Sequence, residues 1–152
     1  MITLYPIGKI INERTDIEDD NWGNIVSRIE LNDTVNEDSL KGLNDFSHLE
    51  IIYYFDKVDD SKIISGARHP RNLKHLPETG ILAQRAKNRP NKLGLTTVKL
   101  LKAENKTLHV TGLDAINGTP VLDIKPVFRQ FLPDGEIKQP EWVNEIMKNY
   151  WE

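Results

Sequence analysis

Residues 46–55, F-S-H-L-E-I-I-Y-Y-F, set the tightest limit on what this chain can fold into. The run is dominated by β-branched and aromatic side chains, which suit a packed, pleated surface, and it predicts a central strand. Similar, shorter segments surround it. Residues 5–11 alternate weakly around Gly8, and 25–31 alternate in their later half. Residues 81–83 form a short apolar run after Gly80. Residues 93–103 and 107–113 flank the Glu104-Asn105-Lys106 turn as a hairpin, and 119–127 read as a last strand with Pro near both ends. About seven short strands separated by turns predict a mostly β fold, a single-sheet, largely antiparallel barrel. No alternation of strand with helix is visible, which argues against a doubly wound α/β sheet.

Helix is confined to the margins of this pattern. Glu37, Leu40 and Leu43 stand at helical spacing and predict one or two turns, a short internal helix. Pro140 suits the first position of a helix. After it Trp142, Val143, Ile146, Met147, Tyr150 and Trp151 share one face, so 139–151 reads as a terminal amphipathic helix packed on the domain or on a partner subunit. Residues 12–24 are an acidic loop with Trp22-Gly23 near its end, and 56–79 are long and irregular, a length that in compact domains marks a functional or a mobile loop.

The 152 residues are expected to form one domain with a sizeable core. Cysteine is absent, which removes thiolate catalysis, zinc–thiolate sites and disulfides. The start of the chain has no signal-peptide pattern and no apolar run approaches membrane-spanning length, so a cytoplasmic protein without a membrane role is expected. The net charge of −3 conceals an asymmetry. Residues 61–92 hold eight Lys/Arg and one acid, Glu78, and carry +7, while the rest of the chain carries −10. A concentrated block of that kind reads either as a surface for a polyanion partner or as a solvated basic surface. Its densest part, 80–95 (G-I-L-A-Q-R-A-K-N-R-P-N-K-L-G-L), places Arg85, Lys87, Arg89 and Lys92 around a Pro-Asn turn, a loop suited to an anion or a polar ligand.

Several standard sites are missing: a G-x-G-x-x-G after a strand, a P-loop, H-E-x-x-H and G-x-S-x-G. The histidines at 48, 69, 75 and 109 lack metal-ligand spacing, so no metal is expected. Asp123 and Lys125, two apart on one strand, point the same way and read either as an ion pair or as a ligand contact.

Four blocks carry a resemblance: Phe46-Ser47-His48-Leu49; the 85–94 segment with Arg89-Pro90-Asn91; Gly112-Leu113-Asp114; and Gly118-Thr119-Pro120-Val121-Leu122-Asp123-Ile124-Lys125-Pro126. In this order and spacing they resemble the signature blocks of the TsaA-like family, whose best understood members are the TrmO-type tRNA methyltransferases. The resemblance implies a β-barrel that binds S-adenosylmethionine without a Rossmann fold, as a homodimer with the cofactor near the subunit boundary. It also implies methylation of N6 of the threonylcarbamoyl-modified adenosine next to the anticodon of tRNA.

Carried over by position, the resemblance assigns Arg85, Leu95, Leu113 and Asp114 to the cofactor. Asp56 and Lys57 fall at a further contact position with different residue types, and Trp22-Gly23 corresponds to a Pro-Gly loop of the family. A carboxylate suits a ribose diol and an arginine suits a carboxylate, so Asp114 and Arg85 match two groups of the cofactor. Arg68, Arg71, Lys74, Lys87, Arg89, Asn91, Lys92 and Lys125 are then expected on the substrate side, and Asp123 is the candidate for a base. The chain reads A-Q-R-A-K-N-R-P-N-K-L-G where the family is closer to A-T-R-S-P-F-R-P-N-P-I-G, and Asn117-Gly118 where the family has Asp-Gly. The longer bacterial members carry an additional C-terminal domain, in whose place a short helix is expected here. Two other readings stay open: a non-enzymatic RNA-binding barrel, and a methyltransferase of a small-molecule acceptor.

Overall fold

The computed structural model describes residues 1–152. Six strands close into one antiparallel barrel in the order β1-β2-β7-β6-β3-β8. They are β1 (Gly8–Ile11), β2 (Val26–Leu31), β3 (His48–Tyr54), β6 (Leu93–Glu104), β7 (Thr107–Thr111) and β8 (Pro120–Pro126). Two short strands, β4 (Ala67–Arg68) and β5 (Thr79–Gly80), make a separate ribbon in the long loop between β3 and β6. The only α-helix is α1 (Glu141–Met147).

The alternation in the sequence is the alternation of the barrel wall. Along β3, Leu49, Ile51 and Tyr53 point inward, and β6 follows with every second residue buried from Gly94 to Leu100. Ile10, Ile29, Leu108, Val110 and Val121, each fully buried, complete the core. β3 sits between β6 and β8, the central position its apolar run predicts. The β6–β7 hairpin turns on Asn105 (φ 50°) and Lys106 (φ 61°), the doubly left-handed two-residue loop that matches strand twist. Asn44 locks the turn end of that hairpin: its side chain accepts from the Ala103 amide (2.8 Å) and donates to the Ala103 carbonyl (2.9 Å).

Four expectations need correction. The 81–83 run is a 3₁₀ turn and not a strand: the Ile81 amide bonds to Gly66 and the Gln84 amide returns to the Ile81 carbonyl, so no ladder forms. The internal helix is two 3₁₀ turns, Glu37–Leu40 and Leu43–Asp45, separated by Gly42 at φ 82°. The first strand begins only at Gly8. The last helix is seven residues long, not thirteen: Pro140 keeps an extended conformation as its N-cap. Beyond Met147 the carbonyls of Asn149 and Tyr150 accept from the amides of Asn21 and Trp22, bonds to the 12–24 loop in place of further helix. No helix is long and apolar enough to cross a membrane.

Candidate functional site

One large cavity, of about 1090 Å³, opens at the end of the barrel where β3 and β6 meet the long 56–92 loop. Its floor is built around Asp114, which follows β7 and the αL residue Gly112 (φ 78°). The Asp114 carboxylate is held by hydroxyls on three sides. Tyr53 donates to Oδ1 at 3.0 Å, Thr96 donates to the same oxygen, and Tyr150 donates to Oδ2. Tyr53 and Thr96 also meet each other at 3.1 Å. Both are inward positions of barrel strands, so two of the three donors are as fixed as the core itself. Burial, reinforced by the charge of Asp114, pushes the ionisation of Tyr53 and of Tyr150 far above the ordinary tyrosine range. Both therefore stay neutral donors.

Arg85 enters from the loop between β5 and β6. Gln84 fixes it: the Gln84 side chain is buried and donates to the carbonyls of Arg68 (3.0 Å) and Thr79 (2.8 Å), clamping the β4–β5 ribbon, while the Gln84 backbone carbonyl accepts from Arg89 (2.6 Å). Arg85 follows directly and its guanidinium donates to the Leu95 carbonyl on β6. The side chain of Leu95 is half exposed on the cavity wall. The next bend, Arg89-Pro90-Asn91-Lys92, closes through an amide bond from Lys92 to Arg89, with Asn91 at φ 65°; Pro supplies the first corner and Asn tolerates the second.

Eleven of the seventeen residues expected at the site line this cavity. On the cofactor side these are Arg85, Leu95, Asp114, Asp56, Lys57 and Trp22; on the substrate side they are Arg68, Arg71, Lys87, Arg89 and Asn91. Trp22 is buried, with the Arg14 guanidinium 4.1 Å from its ring centre. Six residues stand elsewhere. Leu113 is fully buried in the core beneath Asp114. Gly23 packs on the chain near Trp151, where a Cβ would come within 1.9 Å of the Trp151 carbonyl oxygen. Lys74 is exposed away from the cavity.

Lys92 corrects its expectation most clearly. It is only 7% exposed, its ammonium donates to Val58 O (3.0 Å) and Asp60 Oδ1 (2.8 Å), and it lies 4.9 Å from the centre of the Tyr54 ring. It ties the loop to the barrel and is not presented to a substrate. Asp123 and Lys125 lie on β8 outside the cavity and face each other at 3.6 Å. The ion-pair reading describes them, and Asp123 is not placed to act as a base there.

Sequence reasoning missed Tyr53, Thr96 and Tyr150. The period-2 pattern of β3 and β6 marks the first two as inward-facing, but only the closed barrel puts them against Asp114. Tyr150 stood out only as part of an apolar helical face.

The charges of the cavity are unevenly matched. Arg71 is paired with Asp20 (3.0 Å) and Arg14 with Glu18 (2.8 Å). Arg68, Arg85, Lys87 and Arg89 have no carboxylate partner, and the buried Nε of Arg68 has no hydrogen-bond partner at all. The arrangement joins a fixed carboxylate, unpaired guanidinium groups and apolar walls, a donor and acceptor set for a ligand with vicinal hydroxyls at one end and an anionic group at the other.

Comparison with known proteins gives the chain a family. The human protein named tRNA (adenine(37)-N6)-methyltransferase is 38% identical over 104 residues, 68% of this chain and 23% of its own length. An Archaeoglobus fulgidus protein named probable S-adenosyl-L-methionine-binding protein is 38% identical over 90 residues, 59% of this chain and 23% of its own. The chain thus spans less than a quarter of the length of these curated relatives. A crystal structure of TrmO from Pseudomonas aeruginosa superposes with a TM-score of 0.74 at 26% identity, covering 93% of this chain and 62% of the other. Residues 15–131 match the family model of the tRNA-methyltransferase O N-terminal domain, and the chain belongs to that family.

Proposed function

We propose that this chain binds S-adenosylmethionine in the Asp114 cavity and transfers its methyl group to N6 of the adenosine next to the anticodon in tRNA. The observation that carries the reading is the Asp114 carboxylate held rigid by Tyr53 and Thr96 in the same cavity as the unpaired Arg85 and Arg68. The names of the human and Archaeoglobus fulgidus relatives support it.

The residues present fit the cofactor. Asp114 would accept from the ribose hydroxyls, Arg85 and Arg68 would hold the carboxylate, and the free Nε of Arg68 is a buried donor awaiting an acceptor. When bound, the cofactor supplies an electrophilic sulfonium methyl. The chain's task is then alignment and exclusion of water more than acid–base chemistry. Lys87 and Arg89, on the rim side of the loop, would take tRNA phosphates, a contact that positions without reading sequence. A homodimer in the cytoplasm belongs to the same proposal. The aromatic ladder Phe46–Phe128–Phe131, with Phe131 82% exposed, supports a subunit contact.

Transfer of labelled methyl into total tRNA from a strain lacking this protein tests the reading. Label recovered in N6-methylated adenosine of tRNA is expected. Salt-sensitive tRNA binding without any label would instead favour the non-enzymatic barrel.

A further inference from the structure

We propose that residues 141–151 are a strap that competes with ligand for the cavity, the Tyr150 hydroxyl holding the place on Asp114 that a ligand hydroxyl takes. The inference rests on the reading of the cavity as an S-adenosylmethionine site.

The strap borders the cavity and contributes Trp142, Ile146, Met147, Tyr150 and Trp151 to its wall. It is attached at three points. The amides of Asn21 and Trp22 donate to the carbonyls of Asn149 (3.0 Å) and Tyr150 (2.8 Å). His75 Nε2 meets Glu145 Oε1 at 2.5 Å on the outside. Tyr150 reaches inward to Asp114. Gly23 makes the docking feasible, because any side chain there would strike the Trp151 carbonyl.

These attachments are weak enough to release. α1 is seven residues with none buried, far below the length at which a helix persists alone. The His75–Glu145 contact is exposed on both sides and contributes little. The barrel donors to Asp114 sit on strands; the Tyr150 donor sits just past the end of a seven-residue helix with no buried residue, the kind of element that opens locally.

The division of the Asp114 oxygens gives the competition its chemistry. Oδ1 already accepts from Tyr53 and Thr96, while Oδ2 has Tyr150 alone. With both acceptor sites of Oδ1 taken, a vicinal diol must place its two hydroxyls on Oδ2, whose two acceptor sites are both free only once Tyr150 leaves. Closed strap and bound diol therefore exclude one another, and the apparent affinity is the intrinsic affinity scaled by the open fraction.

The test is calorimetry with S-adenosylmethionine on the full chain and on Tyr150→Phe and Gly23→Ala, together with amide hydrogen exchange. Tyr150→Phe removes the bond to Asp114; Gly23→Ala displaces the strap at Trp151 without touching Asp114. Both variants should bind about 10–100-fold more tightly than the unaltered chain, the value of a charge-assisted hydrogen bond. Ligand should also accelerate exchange at the Asn21 and Trp22 amides. Equal or weaker binding by Tyr150→Phe, or slower exchange at those amides with ligand, overturns the strap while leaving the cavity assignment standing. Absence of binding by all three proteins overturns the cavity assignment and the strap with it. Should Gly23→Ala fail to fold by circular dichroism, Tyr150→Phe and the exchange data still decide.

Discussion

Gly94 faces the ring of Tyr53 across the β3–β6 ladder, and a Cβ at 94 would lie 2.3 Å from the Tyr53 Cε2 atom. The missing side chain is what lets the tyrosine lie flat on β6 and deliver its hydroxyl to Thr96 and Asp114. Gly94→Ala should therefore cost about 1–3 kcal/mol of stability through overpacking. It should also unseat Asp114. Urea unfolding measures the first effect, and Gly94→Ala with Tyr53→Leu should cost less than the two changes summed.

Asn12 joins three pieces of the chain beside the site. Its side-chain Nδ2 donates to Ser27 Oγ (3.0 Å) on β2 and to the carbonyl of Ala115 (2.9 Å), the residue after Asp114. Its side-chain oxygen accepts from the Arg14 amide (3.0 Å). Ser27 is fully buried, so Asn12→Ala leaves polar groups without partners and should cost about 1–3 kcal/mol. Chemical denaturation reads the loss, and Asn12→Asp, which cannot donate, should not restore it.

Two lysines five positions apart should behave in opposite ways. Lys87 lines the cavity with no carboxylate partner, whereas Lys92 is tied to Asp60, whose hydrogen bond holds its ammonium charged to higher pH than usual. Lys87→Ala should leave the melting temperature unchanged and lower the salt slope of tRNA binding by about 1. Lys92→Ala should lower the melting temperature and leave that slope unaltered. Filter binding across a salt series, beside a thermal melt, separates them.

Alkali should unfold the protein through its buried phenols. Tyr53 and Tyr150 have raised ionisation in the folded state, so above pH about 10.0, the ordinary tyrosine value, the unfolded chain releases protons that the native chain keeps. Fewer protons bound when unfolded means that stability falls as pH rises. Below that pH their contribution is constant; above it each group costs up to about 1.4 kcal/mol per pH unit. Stability measured between pH 9 and 11.5, taken as roughly the window set by these phenols, should fall less steeply in Tyr53→Phe.

Legibility in the sequence followed the range of the interactions. β3 and the β6–β7 hairpin were readable because period-2 burial and the Asn105-Lys106 turn are local. Closure of the barrel by β1 and β8 joins residues more than a hundred positions apart, and no local signal carries it. The same limit applies at the site. Arg85 and Asp114 were found by resemblance, but Thr96 and Tyr53 become their neighbours only through strand register. Lys92 misled because a cation in a basic loop looks exposed, and its partner Asp60 lies 32 residues earlier. The last helix was legible as an apolar face and not as a cover for the cavity, since its length is ended by bonds to the 12–24 loop.

The central claim is that Asp114 and Arg85 hold S-adenosylmethionine, and calorimetric titration of the cofactor into the full chain, Asp114→Asn and Arg85→Ala tests it most directly. Saturable binding is expected for the unaltered chain, weakened about 10–100-fold in each variant, the value of a charge-assisted hydrogen bond. Heat absent from the unaltered chain, or binding untouched by both substitutions, would contradict the account.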